Sequence, residues 1–153
     1  EPGRQRLNKI KQARLRADQD SMQICYEPIG IMHCALNDPA QTPLFYSRSE
    51  VKGEIEIFER FQEGLTGIEA CEYITVIFHF DRSDGYELIQ RRRGVGELSG
   101  VFNLRTPRRP NPIGLSILKL ERVAGGRLFV DNVDLLDATP ILDIKPYAGL
   151  ERD

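Results

Sequence analysis

A chain of 153 residues fits one domain and is long enough to bury a core without metal or disulfide staples. With 41% hydrophobic and 29% charged residues and a formal net charge of −2, it has a globular composition and no bulk attraction for a polyanion, so any nucleic-acid surface must be a local patch. Cys25, Cys34 and Cys71 are widely spaced with no Cys-x-x-Cys, no apolar run reaches membrane length, and the start of the chain has no hydrophobic signal core; the expectation is a reduced, cytoplasmic protein outside the membrane.

Residues 1–21 stand apart. Arg4, Arg6, Lys9, Lys11, Arg14 and Arg16 outweigh Glu1, Asp18 and Asp20, while Leu7, Ile10 and Ala17 recur at roughly helical spacing. This predicts a basic helical extension, solvated or touching RNA phosphate or a partner, ahead of a domain over 22–153.

From Met22 onward the chain reads as strands. Ile24 to His33 is the first, stopped by the Asn37-Asp38-Pro39 turn signal. Glu54-Ile55-Glu56-Ile57-Phe58 alternates polar and apolar, as a half-buried strand does. Glu59 to Glu69, with Gly64 and Gly67, predicts a loop or a single helical turn, and Tyr73 to Phe80 a third strand rich in β-branched and aromatic residues. Further on, Leu118 and Leu120 alternate with Lys119 and Glu121, and Gly125-Gly126 turns the chain into Leu128-Phe129-Val130, a hairpin. The prediction is a mainly β fold, a single-sheet barrel with short helical segments.

Between the third strand and that hairpin lies the least ordinary stretch, Gly100 to Ser116. Pro107, Pro110 and Pro112 remove three backbone donors and fix three φ angles, and they push Thr106, Arg109 and Asn111 toward extended conformations. No central strand is built this way. The result is a stiff loop carrying Arg105, Arg108, Arg109 and Asn111, whose pre-positioned guanidinium groups suit phosphate or carboxylate. Six arginines against the single acid Glu97 between positions 91 and 109 make this a concentrated positive patch.

A second unusual stretch runs from Val133 to Tyr147, with Asp134, Asp137 and Asp143 set among large apolar residues. Asp143 and Lys145 are two apart, so on an extended chain they share a face and could pair. Asp134 and Asp137 would face opposite ways unless the chain bends between them. Carboxylates in such company need partners.

Together the two stretches resemble the TrmO family, also called the TsaA-like domain. Arg109-Pro110-Asn111-Pro112-Ile113-Gly114 and Asp143-Ile144-Lys145-Pro146-Tyr147 match its hallmark letter for letter, and Pro28-Ile29-Gly30 and Gly64-Leu65-Thr66-Gly67-Ile68-Glu69 look like its opening and middle. The resemblance covers about residues 22–148. It implies a homodimeric β-barrel that binds S-adenosylmethionine (SAM) without a Rossmann fold, and N6-methylation of N6-threonylcarbamoyladenosine at tRNA position 37. The ending shortly after Tyr147 looks like the single-domain form.

Carried over by motif, the cofactor contacts would be Arg105, Leu115, Asp134, Leu135, Leu136 and Asp137, joined by Asp81 and Arg82 and by Tyr46, Ser47 and Arg48. Asp134, Asp137 and Asp143 are the candidates for assisting N6, and Arg108, Arg109, Asn111 and Lys145 those for RNA. The sequence departs from the family pattern at Asp81 (usually His), near Pro43-Leu44-Phe45, at Asn103-Leu104 and at Ala138 (usually Gly). A non-catalytic SAM- or RNA-binding module, or a methyltransferase with another substrate, is therefore the competing reading. No metal is expected, since His33 beside Cys34 and the lone His79 have no ligand spacing. The glycines at 94, 96 and 100 follow arginines rather than an apolar strand, and so fail as a dinucleotide loop.

Overall fold

The computed structural model describes residues 22–42, 49–147 and 149. Along them run eight strands: β1 Gly30–Cys34, β2 Gly53–Ile57, β3 Tyr73–His79, β4 Ile89–Arg91, β5 Leu98–Gly100, β6 Ile113–Ala124, β7 Arg127–Asp131 and β8 Pro140–Pro146. Six of these close a barrel in the order β1-β2-β7-β6-β3-β8, antiparallel at each junction. β4 and β5 pair with each other as an arm outside it. The mainly β barrel read from the sequence is the fold, and its short helical segments are 3-10 turns such as Glu59–Leu65 and Val101–Asn103. The helix expected over residues 1–21 lies outside the described residues.

Period-2 alternation is what closes the barrel. In β3, Ile74, Val76 and Phe78 are buried while the residues between them stay half-buried. Met32, Ile55, Ile57, Leu118, Leu120, Leu128, Val130 and Ile141 fill the interior from the other strands. Closure satisfies the ladder hydrogen bonds that an open sheet leaves at its edges. The β6–β7 hairpin turns where predicted, at Gly125 and Gly126 with φ of 58° and 74°. Two successive positive φ angles are what a two-residue hairpin of this twist requires.

Two expectations need correction. The first strand begins at Gly30 rather than Ile24, and residues 22–28 are exposed. Pro28 has no N–H to donate, and pairing starts where Gly30 meets both Ile57 and Ile141. That start requires glycine, because a Cβ at position 30 would lie 2.3 Å from the Glu56 carbonyl oxygen. The β4–β5 arm was not anticipated, because three-residue strands among arginines and glycines carry no alternation to read.

The β1–β8 junction positions the site. Their ladder covers Gly30↔Ile141 and Ile31↔Pro140 and then passes Pro140, which cannot donate. The contact is prolonged by Met32 N–H to Thr139 O (3.0 Å), Ala138 N–H to Met32 O (2.8 Å) and Asp137 N–H to Leu36 O (2.7 Å). Residues 135–139 are thereby laid along β1 and its exit.

Candidate functional site

A cavity of about 630 Å³ opens between the end of β3, the proline-rich loop and residues 133–139. That is the size range of small-molecule sites. Its apolar walls are Phe78, Phe80, Leu104, Ile113, Leu115, Leu135 and Leu136, and its charges come from Asp81, Arg82, Asp84, Arg105, Arg108, Arg109 and Asp134. Phe78 and Phe80, two apart in β3 and its exit, stack edge to face with centroids 5.1 Å apart. Gly114 lets them do so, since a Cβ there would fall 2.3 Å from the Phe78 ring.

The proline-rich loop is braced from both sides. Phe80 N–H donates to Pro112 O (2.8 Å), Ser83 Oγ to Pro107 O (3.0 Å) and Gln90 Nε2, from the arm, to Arg108 O (2.6 Å). Arg109 turns back on the loop itself, donating to Leu104 O (3.0 Å) and Thr106 O (3.4 Å). Carbonyls outnumber donors in a segment with three prolines, and a guanidinium fork offers five donors to meet them. Arg108 is exposed and pairs loosely with Glu87 at 3.5 Å, and Arg105 is exposed at the rim.

Residues 133–139 bend, and Asp134 and Asp137 take different partners. Asn132 and Ala138 bracket the bend with φ of 64° and 62°. Left-handed backbone favours glycine, the residue that the resemblance gives where Ala138 stands. Val133 is anchored by its N–H to Val51 O (2.9 Å) and by its carbonyl, which accepts from Ser49 Oγ (2.5 Å). Asp134 Oδ1 accepts from the buried Ser116 hydroxyl at 2.5 Å. Asp137 Oδ1 instead accepts the Cys34 N–H (2.9 Å), and its carbonyl accepts from Arg82 Nη2 (2.6 Å). Burial pushes the Cys34 thiol up, the nearby Asp137 carboxylate adds to the rise, and the Leu36 backbone and Arg82 oppose it.

Of the residues carried over by motif, Asp81, Arg82, Arg105, Leu115, Asp134, Leu135 and Leu136 line this one cavity, and so do Arg108 and Arg109, assigned to RNA. Asp137 stands behind it as an anchor of the bend. Asp143 and Lys145 pair with each other at 2.8 Å on β8, away from the lining, and the exposed Asn111 is also outside it. Tyr46, Ser47 and Arg48 lie outside the described residues. Sequence reasoning missed Phe78, Phe80 and Ser116. A serine at an inward position of an otherwise apolar alternation was the signal that could have found the last. Among the described residues no group of His, Cys, Asp and Glu could hold a metal, and no helix is long and apolar enough to cross a membrane.

Comparison with known proteins adds the family. Residues 31–150 match the family described as the tRNA-methyltransferase O N-terminal domain. A Pyrococcus abyssi protein named "Probable S-adenosyl-L-methionine-binding protein" is 42% identical over 82% of this chain and 69% of its own length. The S-adenosyl-L-methionine-binding protein of Archaeoglobus fulgidus is 35% identical over 80% and 88%. The mouse tRNA (adenine(37)-N6)-methyltransferase is 37% identical over 79% of this chain, which spans only 30% of that enzyme. A crystal structure of TrmO superposes with a TM-score of 0.71 at 33% identity, covering 83% of this chain and 58% of that one. TrmO from Pseudomonas aeruginosa gives 0.68 at 32%, covering 83% and 57%.

Proposed function

Because the chain belongs to the tRNA-methyltransferase O N-terminal domain family, we propose that it binds SAM in the cavity under the proline-rich loop and methylates N6 of N6-threonylcarbamoyladenosine at tRNA position 37. One observation carries this reading. Seven of the residues assigned to the cofactor by motif, from four separate stretches (81–82, 105, 115 and 134–136), line one cavity.

The lining suits a ligand of both charge signs with an apolar ring system: guanidinium groups for a carboxylate, carboxylates for an ammonium or ribose hydroxyls, and Phe and Leu side chains for a purine. When bound there, SAM supplies a methyl group made electrophilic by its sulfonium. The protein's part is alignment and exclusion of water, and the rigid loop and the anchored bend are suited to it. N6 of a threonylcarbamoyl adenine is a poor nucleophile, its lone pair delocalised into purine and carbonyl, so a carboxylate that accepts its proton assists. Of the three candidate aspartates only Asp134 lines the cavity, so the role falls to Asp134. Arg105 and Arg108 would meet the threonyl carboxylate and phosphate, with Asn111 and Lys145 as further RNA contacts, while Arg109 braces the loop.

A second reading, SAM binding without catalysis, is favoured by the archaeal relatives whose names state SAM binding alone. Methyl transfer from labelled SAM to tRNA with and without the threonylcarbamoyl group separates them. Incorporation only into the modified tRNA is expected. SAM binding with no incorporation supports the second reading, equal incorporation into both tRNAs means a different substrate, and no SAM binding overturns both.

The working form in this reading is a cytoplasmic homodimer. What supports a partner copy is the arm and its surroundings, where Leu88, Ile89, Val95, Leu98 and Phe102 are exposed. The free thiols of Cys25, Cys34 and Cys71 fit a reducing compartment.

A further inference from the structure

Ser116 is buried to 1% exposure at an inward position of β6, two residues from Gly114 on one side and Leu118 on the other. Its partner across the β3–β6 ladder is the fully buried Val76. An alanine or valine would fill such a position with no polar group to satisfy, whereas a buried hydroxyl without a hydrogen bond is costly. The hydroxyl is satisfied by one carboxylate, Asp134 Oδ1 at 2.5 Å, which belongs to a segment outside every strand. The two residues line the same cavity.

A short carboxylate beside a ligand cavity has two side-chain torsions to settle before it can receive a ligand at a defined angle. At Ser116 the β6 backbone is held in its ladder with β3, opposite the fully buried Val76. A hydroxyl carried on it therefore holds one Asp134 oxygen at a fixed place when the protein folds. The ordering that would otherwise oppose ligand binding is completed beforehand. Asp137, anchored through Cys34 N–H, has no such partner on β6.

We infer that Ser116 is a positioning residue: it orients Asp134 in the cavity and acts on SAM binding or methyl transfer only through that carboxylate. This rests on the proposed use of the cavity.

The test is a double-mutant cycle in the full chain with Ser116→Ala, Asp134→Asn and both, following SAM affinity by calorimetry and turnover at saturating SAM. The side-chain carboxyl 13C resonances of Asp134 and Asp137 are read in parallel at constant pH. In Ser116→Ala the Asp134 resonance should move and that of Asp137 should not. The variant should lose roughly tenfold in whichever quantity Asp134→Asn loses, the lower end of what a hydrogen bond to a charged group is worth. It should add little in the Asp134→Asn background, because coupled residues are non-additive. Ser116→Cys, nearly isosteric with a weak S–H donor, should fall between wild type and Ala. Fully additive losses, a still Asp134 resonance, or a lowered melting temperature with both kinetic quantities intact would overturn the inference. If Asp134→Asn itself binds SAM and turns over normally, the reading of the cavity is what fails, and the role of Ser116 falls with it.

Discussion

Asp134 and Asp137 are three positions apart and have different partners. Asp137 accepts the N–H of Cys34 at the end of β1 and holds the bend through its own N–H to Leu36 O and its carbonyl to Arg82. It is a structural acceptor at a point where the barrel ladder has run out. Asp137→Ala should lower the unfolding free energy by about 1 kcal/mol, the cost of leaving a half-buried N–H without its acceptor. Asp137→Asn, which keeps an acceptor oxygen, should recover most of it. Urea unfolding followed by fluorescence or circular dichroism measures both. Equal stability of wild type and Asp137→Ala would show that the bend is held without this side chain.

At the scale of elements, the proline-rich loop and β6 work as one unit. The loop's carbonyls are met by Arg109, Gln90 and Ser83, and its exit into β6 passes Gly114, against which the Phe78 ring lies. Phe78 is both a core residue and a wall of the cavity. Gly114→Ala should therefore force the ring aside, destabilise by about 1–3 kcal/mol as overpacking does, and weaken SAM binding in the same variant. Thermal unfolding with and without SAM separates the two effects. A variant as stable as wild type would mean that the ring relocates at no cost.

Over the whole molecule, charge is balanced but not evenly spread. A net charge of −2 leaves no general attraction for a polyanion, and the proposed function assigns the phosphate contacts to arginines at the cavity rim. Arg108 is exposed, and its partner Glu87 is equally exposed, so it can be given up to a phosphate at little cost. Arg108→Ala should weaken tRNA binding and reduce the slope of log K against log salt by roughly 0.7–0.9, one phosphate contact, with SAM affinity unchanged. Filter binding across a salt series tests this. Arg109→Ala, which removes donors from the loop's own carbonyls, should act on stability instead, and an identical salt effect for both would break that division.

Much of this was legible in the chain alone. Strand alternation, the Gly125-Gly126 hairpin and the stiffness imposed by three prolines are local consequences of side-chain shape and backbone freedom, so residues 54–58, 73–80 and 118–130 announced their structure, whereas 113–116, read as part of the proline-rich loop, are the start of β6. The Asp143–Lys145 pair was legible for the same reason, since residues two apart on a strand share a face. The start of β1 was not, because it depends on where Ile57 and Ile141 arrive. Nor could the sequence tell Asp134 from Asp137, or single out Ser116. Those assignments depend on barrel closure, which lays residues 135–139 along β1 and brings residue 134 to the inner face of β6. A hydrogen bond between residues 18 apart exists only once the strands between them have found their register, and register is a property of the whole sheet.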